Sequence, residues 1–147
     1  MKHLSFVICH LSFVICHAQD TVKVSTLAAL EHNAERFYNS GTSKFAAKDF
    51  QGAIEDFNLA LSVNPNFDKA LYNRGIVKFE MKDVAGAIAD YTQAIAVNDS
   101  CDLCYFSRGQ VKYFSKDKTG AAADYGKTIQ LNPTHAQAYY YRAGILF

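Results

Sequence analysis

Apolar and small residues recur along this chain in a fixed phase, and the phase repeats every 34 residues. Numbering units of that length from Ala34, Asp68, Asp102 and Ala136, position 4 is Phe37, Leu71, Tyr105 and Tyr139, and position 8 is Gly41, Gly75, Gly109 and Ala143. At 100° per residue these two positions share one stripe of a helix, a large side chain beside a small one. Further on, positions 20, 24 and 27 read small, aromatic, small: Ala53, Phe57 and Ala60, then Ala87, Tyr91 and Ala94, then Ala121, Tyr125 and Thr128. That is the stripe of a second helix. An aromatic ring there needs a small partner on the neighbouring helix, because packed interiors leave neither gaps nor overlap.

Polar residues mark the helix ends. Asp49, Asp83 and Asp117 at position 16 are placed to cap the second helix and favour its positive end. Asn64-Pro65 and Asn132-Pro133 end it, since a residue before proline is pushed out of the helical region. Gly52, Gly86 and Gly120 follow the same phase and read as helix-crossing positions, not as a phosphate loop. A fixed period of this size means stacked supersecondary units. The expected organisation is 34–67, 68–101 and 102–135 as full repeats, with 136–147 as a partial fourth that contains only a first helix. Residues 19–33 form a lead-in whose helix starts near Thr26 and carries Leu27, Leu30, Ala34 and Phe37 at helical spacing.

These residues resemble the tetratricopeptide repeat, whose signature is a large residue at 4, Gly or Ala at 8, Ala at 20, an aromatic at 24, Ala at 27 and Pro at 32. Asp99 replaces the proline in the second repeat and Thr128 an alanine in the third. The Asn73-Arg74-Gly75 and Ala89-Asp90-Tyr91 runs are of the subtype common in bacterial members. The resemblance implies an all-α, right-handed solenoid of antiparallel helix pairs whose usual work is binding proteins or peptides. It also implies a ligand-facing set at positions 2, 5, 9, 12 and 13. An aromatic groove follows, with Tyr38, Tyr72, Phe106 and Tyr140 at position 5, Phe79 and Tyr113 at position 12, and Gln110 at position 9. Glu35, Thr42, Lys69, Ile76, Glu80, Leu103 and Phe114 belong to the same set. The competing reading packs these rings between adjacent first helices. Some family members clamp a C-terminal carboxylate with Lys, Asn and Arg. The corresponding places here hold Tyr38, Thr42, Asn73, Leu103 and Ser107, so only Asn73 matches and the charge-assisted bonds of such a clamp are lost.

Charge adds a register pattern. Position 23 is Asp56, Asp90 and Asp124, and position 7 is Arg74, Arg108 and Arg142 but Ser40 in the first repeat. Pairing each Asp with the Arg of the next repeat satisfies all three, so a ladder Asp56–Arg74, Asp90–Arg108 and Asp124–Arg142 is expected; the competing reading is a solvated charged edge worth little. Lys44, Lys78 and Lys112 are available to each Asp from its own repeat. Fifteen Lys and Arg against 14 Asp and Glu leave a net charge of +1, which gives no phosphate-tracking surface and argues against nucleic acid as a partner.

The first 18 residues, MKHLSFVICHLSFVICHA, carry Lys2 before an apolar run ending at Cys16-His17-Ala18. This reads as a secretory signal cut after Ala18, too short for a membrane anchor, and places the protein in the periplasm or outside the cell. The alternative is a cytoplasmic chain in which the tandem HLSFVIC (His3–Cys9, His10–Cys16) is a low-complexity accident. A lipid-modified cysteine fits less well, since Ile8 and Ile15 stand where such signals want a small residue.

Cys101-Asp102-Leu103-Cys104 is the one constellation with candidate chemistry. It reads as a local disulfide stiffening the turn that lacks proline, as a pair of reduced or buried thiols, or as a redox pair, for which no strand–helix context is present. Zinc would need two further ligands, and His135 is a full repeat away. No catalytic residue, cofactor or metal site is expected. The leading function is a non-enzymatic adaptor for a protein or peptide. The alternatives are a structural piece of a longer solenoid or envelope complex and a CxxC redox module. The fourth unit stops inside its first helix and exposes Tyr and Leu, which suggests either truncation or contact with a partner, a second copy included.

Overall fold

The structure, a computed structural model, describes residue 29 and residues 31–146. The expected export segment, the helix start near Thr26 and Phe147 lie outside the described residues. Within them the chain forms α1 (31–46), α2 (Phe50–Val63), α3 (Asp68–Glu80), α4 (Val84–Val97), α5 (Asp102–Phe114), α6 (Lys118–Leu131) and α7 (Ala136–Leu146). The chain is an all-α solenoid in which each helix packs on the next.

Two short polar devices make each hairpin. The first helix of a repeat closes through a backbone bond from the residue after the turn: Asp49 N–H donates to the Lys44 carbonyl at 2.9 Å, Asp83 to Lys78 at 2.8 Å and Asp117 to Lys112 at 2.9 Å. This closure needs a left-handed residue just before it. Lys48, Lys82 and Lys116 supply it, with φ of 63°, 68° and 71°. The aspartate then caps the second helix, its Oδ1 accepting from the N–H of Gly52 at 3.0 Å, Gly86 at 2.9 Å and Gly120 at 2.8 Å. A Cβ on any of these glycines would strike the capping carboxylate. Gly52, Gly86 and Gly120 therefore make room for the cap, and the expectation that they serve helix crossing is corrected.

The second helices end at Asn64, Asn98 and Asn132. Their side-chain oxygens accept from the backbone N–H two residues on, at 3.1, 3.3 and 3.2 Å. In two repeats the amide nitrogen also ties the end of the hairpin to its start: Asn98 Nδ2 donates to Asp68 Oδ2 at 2.8 Å and Asn132 Nδ2 to Asp102 Oδ2 at 2.7 Å.

The core follows from the large–small stripe. Phe57, Tyr91 and Tyr125 are buried rings lying over Gly41, Gly75 and Gly109, where an added Cβ would sit 2.8, 2.8 and 2.9 Å from the ring. This close approach is the reason for glycine at position 8. Thr128 is buried in an alanine position and satisfies its hydroxyl by donating to the Asp124 carbonyl at 3.1 Å.

Candidate functional site

The ion pairs run inside each repeat. Arg74 donates to Asp90 through Nε at 2.8 Å and Nη2 at 2.6 Å, and Arg108 to Asp124 at 2.9 and 2.7 Å, so both are two-pronged. Lys78 and Lys112 complete the same carboxylates at 2.9 and 2.8 Å. Asp56 is held by its own repeat as well, by Lys44 at 2.8 Å and the Ser40 hydroxyl at 2.6 Å. The expected ladder Asp56–Arg74, Asp90–Arg108, Asp124–Arg142 is thus corrected. Positions 7 and 23 face each other across one hairpin, and Ser40 takes the missing arginine's place.

The link to the preceding repeat goes through position 25 instead. Arg74 Nη1 donates to Asn58 Oδ1 at 2.7 Å and Arg108 Nη1 to Thr92 Oγ1 at 3.1 Å. Arg142 lies over Gly126 at that same position, its Cζ 3.5 Å from where a Cβ would stand. Burial by itself would raise the Asp56 carboxyl, but the hydrogen bonds from Lys44 and Ser40 outweigh it and hold it below the usual carboxylate range. The bond to Asp56 in turn raises Lys44.

The aromatic row at position 5 does two different things. Tyr38 and Tyr72 are half-buried between repeats. The Tyr38 ring lies 6.0 Å from Phe57 and 5.1 Å from Phe67, and its hydroxyl accepts from Asn73 Nδ2 at 3.0 Å. Tyr72 packs 5.8 Å from Tyr91 and shares a hydrogen bond with Ser107 at 3.3 Å. Phe106 is only 7% exposed, covered by Tyr125, His135 and Tyr141. The expectation that Phe106 lines an open groove is therefore corrected, because the next repeat's first helix closes over position 5. Tyr140, in α7, is 76% exposed.

An open groove does exist, set toward the turn ends of the first helices. A cavity of about 530 Å³ is lined by Phe79 from α3, by Gln110, Tyr113 and Phe114 from α5, by Lys116 in the turn and by Tyr141 from α7, with Tyr125 behind. Phe79 and Phe114 meet edge to face at 5.5 Å, and Tyr141 stacks on Tyr125 at 5.7 Å. A second cavity of about 480 Å³ joins Tyr113 and Tyr141 to Tyr140, Ala143 and Gly144. Phe114 is 55% and Tyr113 43% exposed. Among the described residues, Lys116 is the one charged side chain on either lining. Burial, with Tyr141 beside it, pushes the Tyr125 phenol up to about 12, and burial also raises Tyr91.

Of the residues expected in a groove, the structure brings Phe79, Gln110, Tyr113 and Tyr140 to these cavities and leaves Tyr38, Tyr72 and Phe106 between repeats. Lys116 and Tyr141 were not expected there. Position 6, which in α7 is Tyr141, carries Asn39, Asn73 and Ser107 in the other repeats, so it shows no aromatic row.

Cys101 and Cys104 are joined by a disulfide. Cys101 caps α5, its sulfur accepting from the Cys104 N–H at 3.2 Å. Among the described residues no group of three or more metal-ligating side chains converges, and no helix is long and apolar enough to cross a membrane.

Sequence profiles of the tetratricopeptide repeat match residues 34–67 and 69–98. No curated protein matches the chain. Several solved structures share its fold. The first TPR of Spaghetti (RPAP3) bound to an HSP90 peptide superposes with a TM-score of 0.76 at 23% identity, over 78% of this chain and 91% of that one. The TPR domain of Arabidopsis OM64 gives 0.76 at 20%, over 79% and 96%. MamA gives 0.75 at 24%, over 82% and 71%.

Proposed function

Because this chain belongs to the tetratricopeptide-repeat proteins, we propose that it is a non-enzymatic scaffold that seats an extended segment of a partner protein on its first-helix face. The aromatic patch around Phe114 is the anchor. The observation that carries this reading is the cavity of about 530 Å³ walled by Phe79, Tyr113, Phe114 and Tyr141, with two of those rings about half exposed. Contiguous exposed apolar surface of this kind marks interaction sites, and aromatic side chains dominate the energetics of such sites.

The protein of like fold that carries an HSP90 peptide supports a peptide ligand in general. The chemistry of recognition differs here. Asn73, the one residue matching the carboxylate clamp, is engaged by Tyr38, and Ser107 by Tyr72. Tyr38, Thr42 and Leu103 offer no cation. The partner is held by apolar side chains and its main chain, not by a free C-terminus. The apolar run ending at Ala18 and the Cys101–Cys104 bond support an exported protein, since disulfides persist in oxidising compartments.

The test uses peptides selected from a random library displayed on phage against the full chain. Titrated against the Tyr113→Ala/Phe114→Ala variant, they lose about 30-fold in affinity, the ~2 kcal/mol of a hot spot. Both side chains are exposed, so the fold survives their removal. Unchanged affinity for every selected peptide would show that binding does not use this patch.

A further inference from the structure

The disulfide stands at the start of α5, where α3 is preceded by Phe67 and carries Ala70, and α7 is preceded by His135 and carries Ala138. The backbone there does not depend on sulfur. Phe67 has φ −82° and ψ 87°, and Cys101 has φ −74° and ψ 87°. The turn bonds match too, Ala70 N–H to the Phe67 carbonyl at 3.0 Å and Cys104 N–H to the Cys101 carbonyl at 3.1 Å. A turn with the same shape at a junction without cysteines does not need the bond closed in order to form.

The two sulfurs are unequal. Cys104 is 1% exposed and packs with Leu71 and Ala94, in the place of a buried alanine. Cys101 is only half-buried, at the edge of the same cluster. Its sulfur already accepts the Cys104 N–H, so a thiolate there meets the N-terminal end of a 13-residue helix, an environment that favours negative charge. The intervening Asp102 carboxylate is hydrogen-bonded by Asn132, at 2.7 Å.

We propose that Cys101–Cys104 is a site of thiol–disulfide exchange, opened and closed by an external thiol while the repeat stays folded. An incoming thiolate attacks Cys101 Sγ and forms a mixed disulfide. The Cys101–Cys104 bond breaks, and its electron pair leaves on Cys104 Sγ, which takes up a proton. A second thiolate attacks the external sulfur of the mixed disulfide, and Cys101 leaves as the thiolate capped by the Cys104 amide. Two external thiols are oxidised to one disulfide while the protein disulfide is reduced to two thiols. The reverse sequence, starting from Cys101 on an external disulfide, closes the pair again. This chemistry is independent of what the aromatic groove binds.

The test equilibrates the full chain in glutathione buffers of graded reduced-to-oxidised ratio, quenches by alkylation, and weighs the tryptic peptide that spans Asp83–Arg108. Circular dichroism follows the helices in parallel. Both redox forms of that peptide are expected across the series with the helical signal unchanged. A pair that stays closed at every ratio, or opens only as the helices melt, overturns the proposal. Two variants identify the attacked sulfur. Cys104→Ala, which installs the residue of Ala70 and Ala138, collects one glutathione at Cys101, whereas Cys101→Ala labels Cys104 at least about ten-fold more slowly. Equal labelling of the two variants contradicts the assignment of Cys101.

Discussion

Replacing Asp90 by Asn removes the charge at the centre of the second repeat while keeping the side chain's size. Asp90 accepts two bonds from Arg74 and one from Lys78, at 2.8, 2.6 and 2.9 Å, and its side chain is 4% exposed. Asn turns one acceptor into a donor aimed at cations and leaves two positive charges without their counter-ion. Removing one member of a buried pair costs about 3–5 kcal/mol. The Arg74 and Lys78 side chains are 16% and 21% exposed and so reach water in part, which places the loss at the lower end, about 3 kcal/mol. With urea slopes of about 1–3 kcal/mol per molar, the unfolding midpoint falls by roughly 1–3 M. Asp56→Asn costs clearly less, because Asp56 has only Ser40 and the more exposed Lys44. A double-mutant cycle separates the two pairing schemes. Arg74→Ala couples to Asp90→Asn by about 1.5–3 kcal/mol, the value of charge-assisted bonds, and is nearly additive with Asp56→Asn. Additivity of Arg74 with Asp90, or coupling of Arg74 with Asp56, would refute pairing within the repeat.

Three further outcomes follow from the same geometry. Gly75→Val forces a branched side chain into a ring 2.8 Å from where its Cβ would be, and thermal or urea unfolding should show a loss of about 2–3 kcal/mol. Lys82→Gly relieves a left-handed backbone at φ 68° and should stabilise by roughly 0.5–1 kcal/mol, the strain removed less the entropy of glycine. Stability should also fall at both ends of the pH scale, read as urea midpoint against pH. The Asp56 carboxyl is lowered in the fold, so its contribution is present above the ordinary carboxylate range and is lost as pH falls below it; Asp56→Asn flattens that acid limb. The Tyr125 phenol is raised from 10.0 to about 12, so its neutral form stabilises the fold below pH 10 and that contribution is lost between 10 and 12; Tyr125→Phe makes the alkaline limb shallower and leaves the part due to Tyr91, which burial also raises.

The helices and their caps were legible from spacing along one helix, and the large–small core from the repeat period, which sets a small residue on one helix of each hairpin against a ring on the other. Gly75 and Tyr91 announce each other through the period alone. The charge pairing was not legible in the same way. Counting which Asp lacks an Arg favours the next repeat only if every Asp must have one, and the Ser40 hydroxyl with Lys44 satisfies Asp56 without any. Position 5 misled for a related reason. Tyr72 and Phe106 share a face distinct from the core stripe, but the stacking of the next hairpin, which no single helix encodes, covers that face. The groove forms where stacking leaves a gap, between Phe79, Phe114 and Tyr141, residues from three different phases of the repeat.

Chemical-shift mapping of the isotopically labelled full chain with a phage-selected peptide tests the binding surface most directly. The amide shifts of Phe79, Gln110, Tyr113, Phe114 and Tyr141 should move together and saturate with the affinity of the titration. Shifts confined to α2, α4 and α6, with those five residues unmoved, would contradict a binding site on the first-helix face.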